Sequence, residues 1–159
     1  SIGLNTNSIP VVIGAMLISP LMGPILGIGL SIAINDIDTL KTSLISLGTM
    51  IILSILTSFI YFWIFDINAD TSELFARTRP DIREILIAFF GGLALIIART
   101  KKGTIATVIY GVAIATALIP PLCTAGYGIA VGSWDYFIGA MYLFIINTIF
   151  IALATFIVI

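Results

Sequence analysis

Two proline-containing stretches decide the fold: GAMLISPLMGPILG, residues 14–27, and GVAIATALIPPLCTAG, residues 111–126. Both lie in the middle of long apolar segments. Proline lacks a backbone N–H and its ring clashes with the preceding helical turn, so it interrupts or kinks an α-helix. In lipid, a backbone group freed in this way must find another partner inside the protein. We therefore predict two interrupted helices that face a protein-packed or hydrated interior.

The amino-acid composition is that of an integral membrane protein. Of the 159 residues, 60% are hydrophobic and 9% are charged, and the net charge is −1. A typical soluble domain is about 45–50% apolar and about 25% charged. The single cysteine and the lack of histidine exclude a disulfide framework and a histidine or thiol metal site. We predict an all-α polytopic protein that has the lipid bilayer as its partner and uses no nucleic acid, metal or cofactor.

Clusters of charge divide the chain into apolar segments. These segments are residues 9–34, 42–65, 82–98, 104–131 and 136–159. The loop 66–81 and the residues directly after it, up to Glu84, carry eight of the 15 charged residues. A helix needs about 20 apolar residues to cross a hydrocarbon core of about 30 Å. The segments 9–34 and 104–131 carry the prolines, and each forms either one kinked crossing or one re-entrant hairpin. The chain is thus predicted to be a single transmembrane domain, 1–159.

An offset of 97 residues aligns the two interrupted segments. Glycine, hydroxyl and proline residues match at this offset, as in the pairs Gly14–Gly111, Ser19–Thr116 and Pro24–Pro121. We predict an internal repeat of three segments, with repeat one at 1–65 and repeat two at 82–159. The counterpart of the span 82–98 falls ahead of residue 1, so the first helix is expected to be missing from this chain. An odd number of crossings in each repeat would make it an inverted repeat.

Four stretches together resemble the prokaryotic family known as domain of unknown function 389. They are VVIGAMLISPLMGPILGIGL (11–30), ELFARTRPD (73–81), GVAIATALIPPLCTAGYGIAVGSW (111–134) and LFIINTIFI (143–151). The resemblance implies a membrane domain of about six helices, often preceded by a soluble domain, in the inner (cytoplasmic) membrane of a prokaryote. It supplies no substrate.

Candidate binding residues lie at the two breaks and in the last span. Half-helix ends and freed peptide groups bind an ion or a small polar solute without any charged side chain. The candidates are Ser19, Pro20, Gly23, Pro24, Thr116, Pro120, Pro121 and Asn147. The alternative for the breaks is a kink that lets helices pack closely, and for Asn147 an interhelical hydrogen bond.

Charged residues at the edges of the spans are candidate entrance or interface groups. They are Asp36, Arg77, Arg79 and Arg99. The alternatives are helix capping for Asp36, solvated loop charges for the two loop arginines, and a simple interface marker for Arg99. With full crossings, the basic residues are divided four against three, a slight excess that favours the cytoplasm for the side of Lys41 and Arg99.

An enzyme is the least expected class, because the chain has no Ser–His or Cys–His pair and its aspartates lie at the membrane edges. Two functions remain. The first is a transporter or channel for a small solute or ion, with the paired breaks as its site. The second is a non-transporting oligomeric anchor or sensor platform for a soluble domain. Small residues at helical spacing suit either intrachain packing or contacts in a homo-oligomer, which we expect: Thr42, Ser46, Ser54 and Ser58; Ala88 and Gly92; Gly128 and Gly132.

Overall fold

The computed structural model describes residues 6–11, 21–65, 81–100 and 104–158, and in this part of the chain every regular element is helical. A short helical segment covers residues 9–11. Five longer helices follow: α1 (Met22–Ile34), α2 (Ile37–Ile64), α3 (Ile82–Thr100), α4 (Thr104–Val131) and α5 (Trp134–Val158). The all-α prediction is confirmed for these residues.

A tight turn at Asn35 and Asp36 joins α1 to α2. Asn35 adopts the left-handed conformation, with φ 56°, which asparagine tolerates better than most residues. The N–H of Asp36 donates to the carbonyl of Ser31 at 2.9 Å and closes the end of α1. The Asp36 carboxylate then caps α2 by accepting from the backbone N–H groups of Asp38 and Thr39 at 3.1 and 3.2 Å.

A turn of the same construction joins α4 to α5. Gly132 has a positive φ of 74°, which glycine adopts without steric cost. The N–H of Ser133 donates to the carbonyl of Gly128 at 2.9 Å, and the N–H of Phe137 then donates to Ser133 at 3.4 Å. Asn35 and Gly132 are 97 residues apart, as are the donors Asp36 and Ser133. The two hairpins, α1–α2 and α4–α5, therefore turn by equivalent hydrogen bonds.

The second proline-containing segment differs from the prediction. Residues 104–131 form one helix, and Pro120 and Pro121 lie inside it. The predicted division into two half-helices is not confirmed, and a re-entrant hairpin is excluded for this segment. A 28-residue helix is about 42 Å long. The hydrogen bonds of its other turns keep the helix continuous, although each of the two prolines removes one backbone N–H donor.

The first proline-containing segment is described only from Leu21 onward. Here α1 begins at Met22, and Pro24 lies in its first turn. The N–H groups of a first turn have no intrahelical partner, so proline costs little at this position. Whether residues 12–20 break the segment lies outside the described residues.

The helices form one bundle in which the two hairpins pack against each other. Helix α4 contacts α5, α2 and α3, while α5 contacts α3 and α1 as well. The main apolar core joins all five helices through Ile25 of α1, Leu47 of α2, Ala88 of α3, Leu122 of α4 and Phe144 of α5. A smaller aromatic cluster pairs Phe62 of α2 with Tyr127 of α4, their ring centroids 5.0 Å apart.

Two of the described helices, α2 and α5, are long and apolar enough to cross a membrane. Their outward faces are also apolar. Ile45, Ile52, Leu56 and Ile60 of α2 are exposed, as are Ile138, Tyr142, Ile149 and Leu153 of α5.

Candidate functional site

Helices α4 and α2 meet at backbone distance where Gly126 faces Ser58. A Cβ built on Gly126 would lie 2.5 Å from the Cβ of Ser58 and 2.9 Å from the backbone oxygen of Ile55. The Ser58 hydroxyl is fully buried and donates to the carbonyl oxygen of Cys123 at 2.6 Å. Only glycine lets the two backbones approach this closely, so the sequence at position 126 fixes the distance between the hairpins.

Helices α1 and α5 meet in the same way at Gly29. A Cβ built on Gly29 would lie 2.5 Å from the Cβ of Thr155 and 2.6 Å from the backbone oxygen of Ala152. The Thr155 hydroxyl is buried and donates to Ile151 in its own helix at 3.0 Å. The site at Gly126 thus has a counterpart at Gly29. The Ser58 hydroxyl donates to another helix, whereas the Thr155 hydroxyl donates within its own helix.

The two contacts are exchanged between the hairpins. Gly29 and Gly126 are 97 residues apart, and so are Ser58 and Thr155. The glycine of hairpin α1–α2 contacts hairpin α4–α5, and the glycine of α4–α5 contacts α1–α2. This reciprocity is what a two-fold axis between the hairpins produces.

The contacts also set the direction of the hairpins. Gly29 lies six residues before Asn35, about 9 Å from its turn, whereas Thr155 lies 22 residues after Ser133, about 33 Å from the other turn. The same spacing holds for Gly126 and Ser58 at the other contact. The two turns therefore lie at opposite ends of the bundle, and the hairpins are antiparallel to each other.

Asn147 lies in the interior between these two contacts. It is 13 residues into α5, about 20 Å from the turn at Gly132, and its side chain is fully buried. On α4, Leu118 is equally far from that turn, so Asn147 is level with the segment that carries Pro120 and Pro121. A buried amide is costly unless it is hydrogen-bonded, which marks Asn147 as a polar position in the middle of an apolar helix.

Pro120 and Pro121 are both buried in the interior. Because neither has an N–H, the carbonyl groups of Thr116 and Ala117 lack the usual donor four residues further on. One turn later, the Thr124 hydroxyl is buried with no hydrogen-bond partner among the described residues. These hydrogen-bonding groups carry no charge. The two carbonyl groups lie near the level of Asn147, and the Thr124 hydroxyl lies about 9 Å nearer the turn at Gly132.

Among the predicted binding residues whose side chains the structure describes, three are buried. Pro120, Pro121 and Asn147 lie in the buried interior of the α4–α5 hairpin, whereas Gly23 is exposed and Pro24 half-buried at the start of α1. The backbone of Thr116 lies in α4, and that of Arg99 in α3. Ser19, Pro20, Arg77 and Arg79 lie outside the described residues.

Asp36 acts as a helix cap in the structure. Hydrogen bonds from the Thr39 hydroxyl and then from the backbone N–H groups of Thr39 and Asp38 hold the pKa of its carboxyl below the ordinary value. The alternative for Asp36, capping of the following helix, is therefore the geometry observed. In the described part of the chain, no group of three or more His, Cys, Asp or Glu side chains could hold a metal ion.

Small residues at helical spacing make intrachain contacts. A Cβ on Gly92 of α3 would lie 3.1 Å from the Cβ of Ala154, and one on Gly128 would lie 2.7 Å from the backbone nitrogen of Phe137. With Ser58 against Gly126, these contacts assign three of the predicted small positions to packing inside the chain.

The sequence analysis missed Gly29, Gly126 and Thr155 and singled out Ser58 only as a small packing residue. The offset of 97 relates them in two pairs, and this signal could have found them, because the same offset had already aligned the prolines.

The family model described as domain of unknown function 389 matches residues 16–153. The chain belongs to the DUF389 family. The resemblance read from the sequence motifs is thereby confirmed. This DUF389 chain is 31% identical over 156 residues to an uncharacterised protein of the archaeon Methanocaldococcus jannaschii. That alignment covers 98% of this chain and 48% of the archaeal protein, so the chain spans about half the length of the relative. No solved structure gives a significant match.

Proposed function

We propose that the protein is an integral membrane protein of a prokaryotic cytoplasmic membrane. The supporting observation is where the apolar side chains of α2 and α5 point. In a soluble protein such apolar helices are core helices and mostly buried, but only 11% of the apolar window of α2 and 33% of that of α5 are buried. Soluble monomers rarely expose an apolar patch larger than a few hundred Å². Lipid is the solvent that suits these faces.

We propose further that the protein is a transporter or channel for a small polar solute or ion. One observation carries this proposal: the exchanged glycine contacts, Gly29 with Thr155 and Gly126 with Ser58. Two antiparallel hairpins related in this way correspond to an inverted repeat, the architecture of many secondary transporters. In such proteins the solute site lies near the bilayer midplane, between the repeats.

The proposed site is the uncharged polar region around Asn147, Pro120 and Pro121, with Pro24, Gly23, Ser19, Pro20 and Thr116 as its further candidates. The described carboxylates all lie at or near helix ends: Asp36, Asp38, Asp81, Glu84 and Asp135. We therefore propose binding by backbone carbonyl, hydroxyl and amide groups, with no carboxylate in the described mid-span region to carry a proton.

A non-transporting anchor or platform is the second candidate. It is favoured by the continuous helix α4, in which Pro120, Pro121 and Leu122 are all buried. Dry packing of this kind is what a structural kink requires, and a homo-oligomer would complete the platform.

Flux through liposomes separates the two candidates. Full-length protein is reconstituted, and release of a panel of small ions and polar solutes is compared with that of empty liposomes. Transport predicts selective release of at least one solute, saturating with its concentration. If folded and inserted protein releases every solute of the panel no faster than empty liposomes do, transport is rejected and the platform is the remaining candidate.

A further inference from the structure

The face of α2 that carries Ser54 and Thr57 borders an open groove of about 310 Å³. Its lining residues are Leu53, Ser54, Thr57, Ser58 and Cys123. The corresponding positions on α5 have no such opening, because α3 covers them. Gly92 of α3 packs there against Ile151 and Ala154, which are the counterparts of Ser54 and Thr57 at the offset of 97.

The burial of α2 and α5 agrees at the positions that pack on the core of the bundle and at the centre of the outward face. Leu47 and Ser58 of α2 are buried, and so are their counterparts Phe144 and Thr155. On the outward face, Ile52 is 60% exposed and its counterpart Ile149 is 57% exposed.

Five positions are buried on α5 but not on α2. Ala140, Leu143, Asn147, Ile151 and Ala154 are buried on α5, whereas their counterparts on α2 are half-buried or exposed: Ser43, Ser46, Met50, Ser54 and Thr57. Four of these five α2 residues carry hydroxyl groups. Hydroxyl and other small polar residues are enriched where membrane helices contact each other, since they allow close approach and hydrogen bonds. Ser43 packs against Gly27 of α1, so the face that the described residues leave uncovered runs from Ser46 to Thr57. This face is suited to a helix.

We infer that the uncovered face of α2, from Ser46 to Thr57, is the docking site of a sixth apolar helix supplied by the polypeptide ahead of residue 1. Under the two-fold relation, the helix that covers this face is the counterpart of α3. Moving α3 (Ile82–Thr100) back by 97 positions ends its counterpart at Gly3. The sixth helix thus joins the chain directly before the segment 9–34.

The archaeal relative is long enough to contain a further helix outside the region aligned with this chain. It extends beyond the aligned region by about as much again as the part that this chain covers, and one further helix needs only about 20 residues. The inference rests on the two-fold relation used for the proposed function, but it does not require transport.

The test is photo-crosslinking in the full-length protein in liposomes. The photoreactive residue p-benzoylphenylalanine (Bpa) is placed in the groove as Thr57→Bpa, and Ile52→Bpa on the outward face is the matched control. We expect irradiated Thr57→Bpa to form a cross-link within one polypeptide, mapped by mass spectrometry to a peptide ahead of residue 1. The control forms no such cross-link. Leu53→Bpa, at the exposed edge of the groove, repeats the test if Thr57→Bpa does not assemble.

Three results would overturn the inference. A cross-link at the mass of a dimer would assign the face to a second copy, and lipid adducts alone would assign it to the bilayer. A cross-link to another part of residues 1–159 would assign it to that segment. None of these outcomes involves flux, so a missing cross-link and a missing transport activity are separate failures.

Discussion

Gly126 and Ser58 hold α4 and α2 at a distance that no larger residue at position 126 permits, since a Cβ on the glycine would lie 2.5 Å from that of the serine. Gly29 and Thr155 repeat this relationship at the other end of the bundle. Each hairpin therefore contacts the other closely at one glycine, and we call these two approaches the glycine contacts. The two glycine contacts lie toward opposite ends of the bundle. The interior between them contains the buried polar side chain of Asn147.

The first prediction concerns the two glycine contacts. We expect Gly126→Ala and Gly29→Ala each to destabilise the protein by about 1–3 kcal/mol, the usual cost of an extra methyl group in a packed core. In both, the nearest atoms include a backbone oxygen, which cannot rotate away. Thermal unfolding in detergent measures the effect.

Gly48→Ala is the matched control for both substitutions. Gly48 lies inside α2 with no atom within 4 Å of an added Cβ, so alanine should be neutral or stabilise the helix by about 0.5–1 kcal/mol. If all three variants unfold at the same temperature as the unsubstituted protein, the close approach of the hairpins is wrong.

The second prediction separates the hydrogen bond of Ser58 from its packing. Ser58→Ala keeps the small side chain but removes the donor to Cys123. We expect a loss of about 0.6 kcal/mol and at most about 1.7 kcal/mol, the range measured for interhelical hydrogen bonds in membranes.

The control is Thr49→Ala, since the exposed Thr49 hydroxyl donates only to Ile45 of its own helix. We expect its effect to stay within about 0.5 kcal/mol. An equal loss for Ser58→Ala and Thr49→Ala would show that the bond to Cys123 contributes nothing of its own.

The fold class followed from the sequence because apolar segments separated by charge leave few alternatives to helices. The hairpin ends were also readable: Asn35 is tolerated at a positive φ, and Asp36 is a good cap. The continuity of α4 through Pro120 could not be predicted from the sequence. The two missing N–H groups are a local cost, and packing of α4 against three other helices offsets it. The glycine contacts at Gly29 and Gly126 depend on how segments distant in sequence cross, which local sequence patterns do not specify.

The third prediction is a pH dependence at the start of α2. Asp36 has a lowered pKa in the folded protein, so its capping contribution is complete above its ordinary pKa of 3.8 and is lost as the pH falls through the lowered value. We expect unfolding temperatures measured between pH 5 and pH 3 to fall less steeply for Asp36→Asn, because asparagine caps as well but does not titrate.

Asp36→Ala removes the cap at every pH, so it should lower the unfolding temperature throughout that range. Identical pH profiles for the unsubstituted protein and Asp36→Asn would rule out the carboxylate as the titrating group.

The fourth prediction tests Asn147 as a binding residue of the proposed transporter. If its amide hydrogen-bonds the solute, Asn147→Ala removes a bond worth about 0.5–1.5 kcal/mol. Flux at low solute concentration should then fall by about two- to tenfold and be restored in part at high concentration. The measurement is initial flux in liposomes, normalised to inserted protein.

Ile149→Ala is the control, because Ile149 is two residues further along α5 and exposed, so its flux should match that of the unsubstituted protein. A purely structural Asn147 gives another pattern, since its loss lowers the unfolding temperature but leaves the flux of each folded molecule and its dependence on solute concentration unchanged. That pattern would move the solute site away from α5, toward the prolines of α4 and the start of α1.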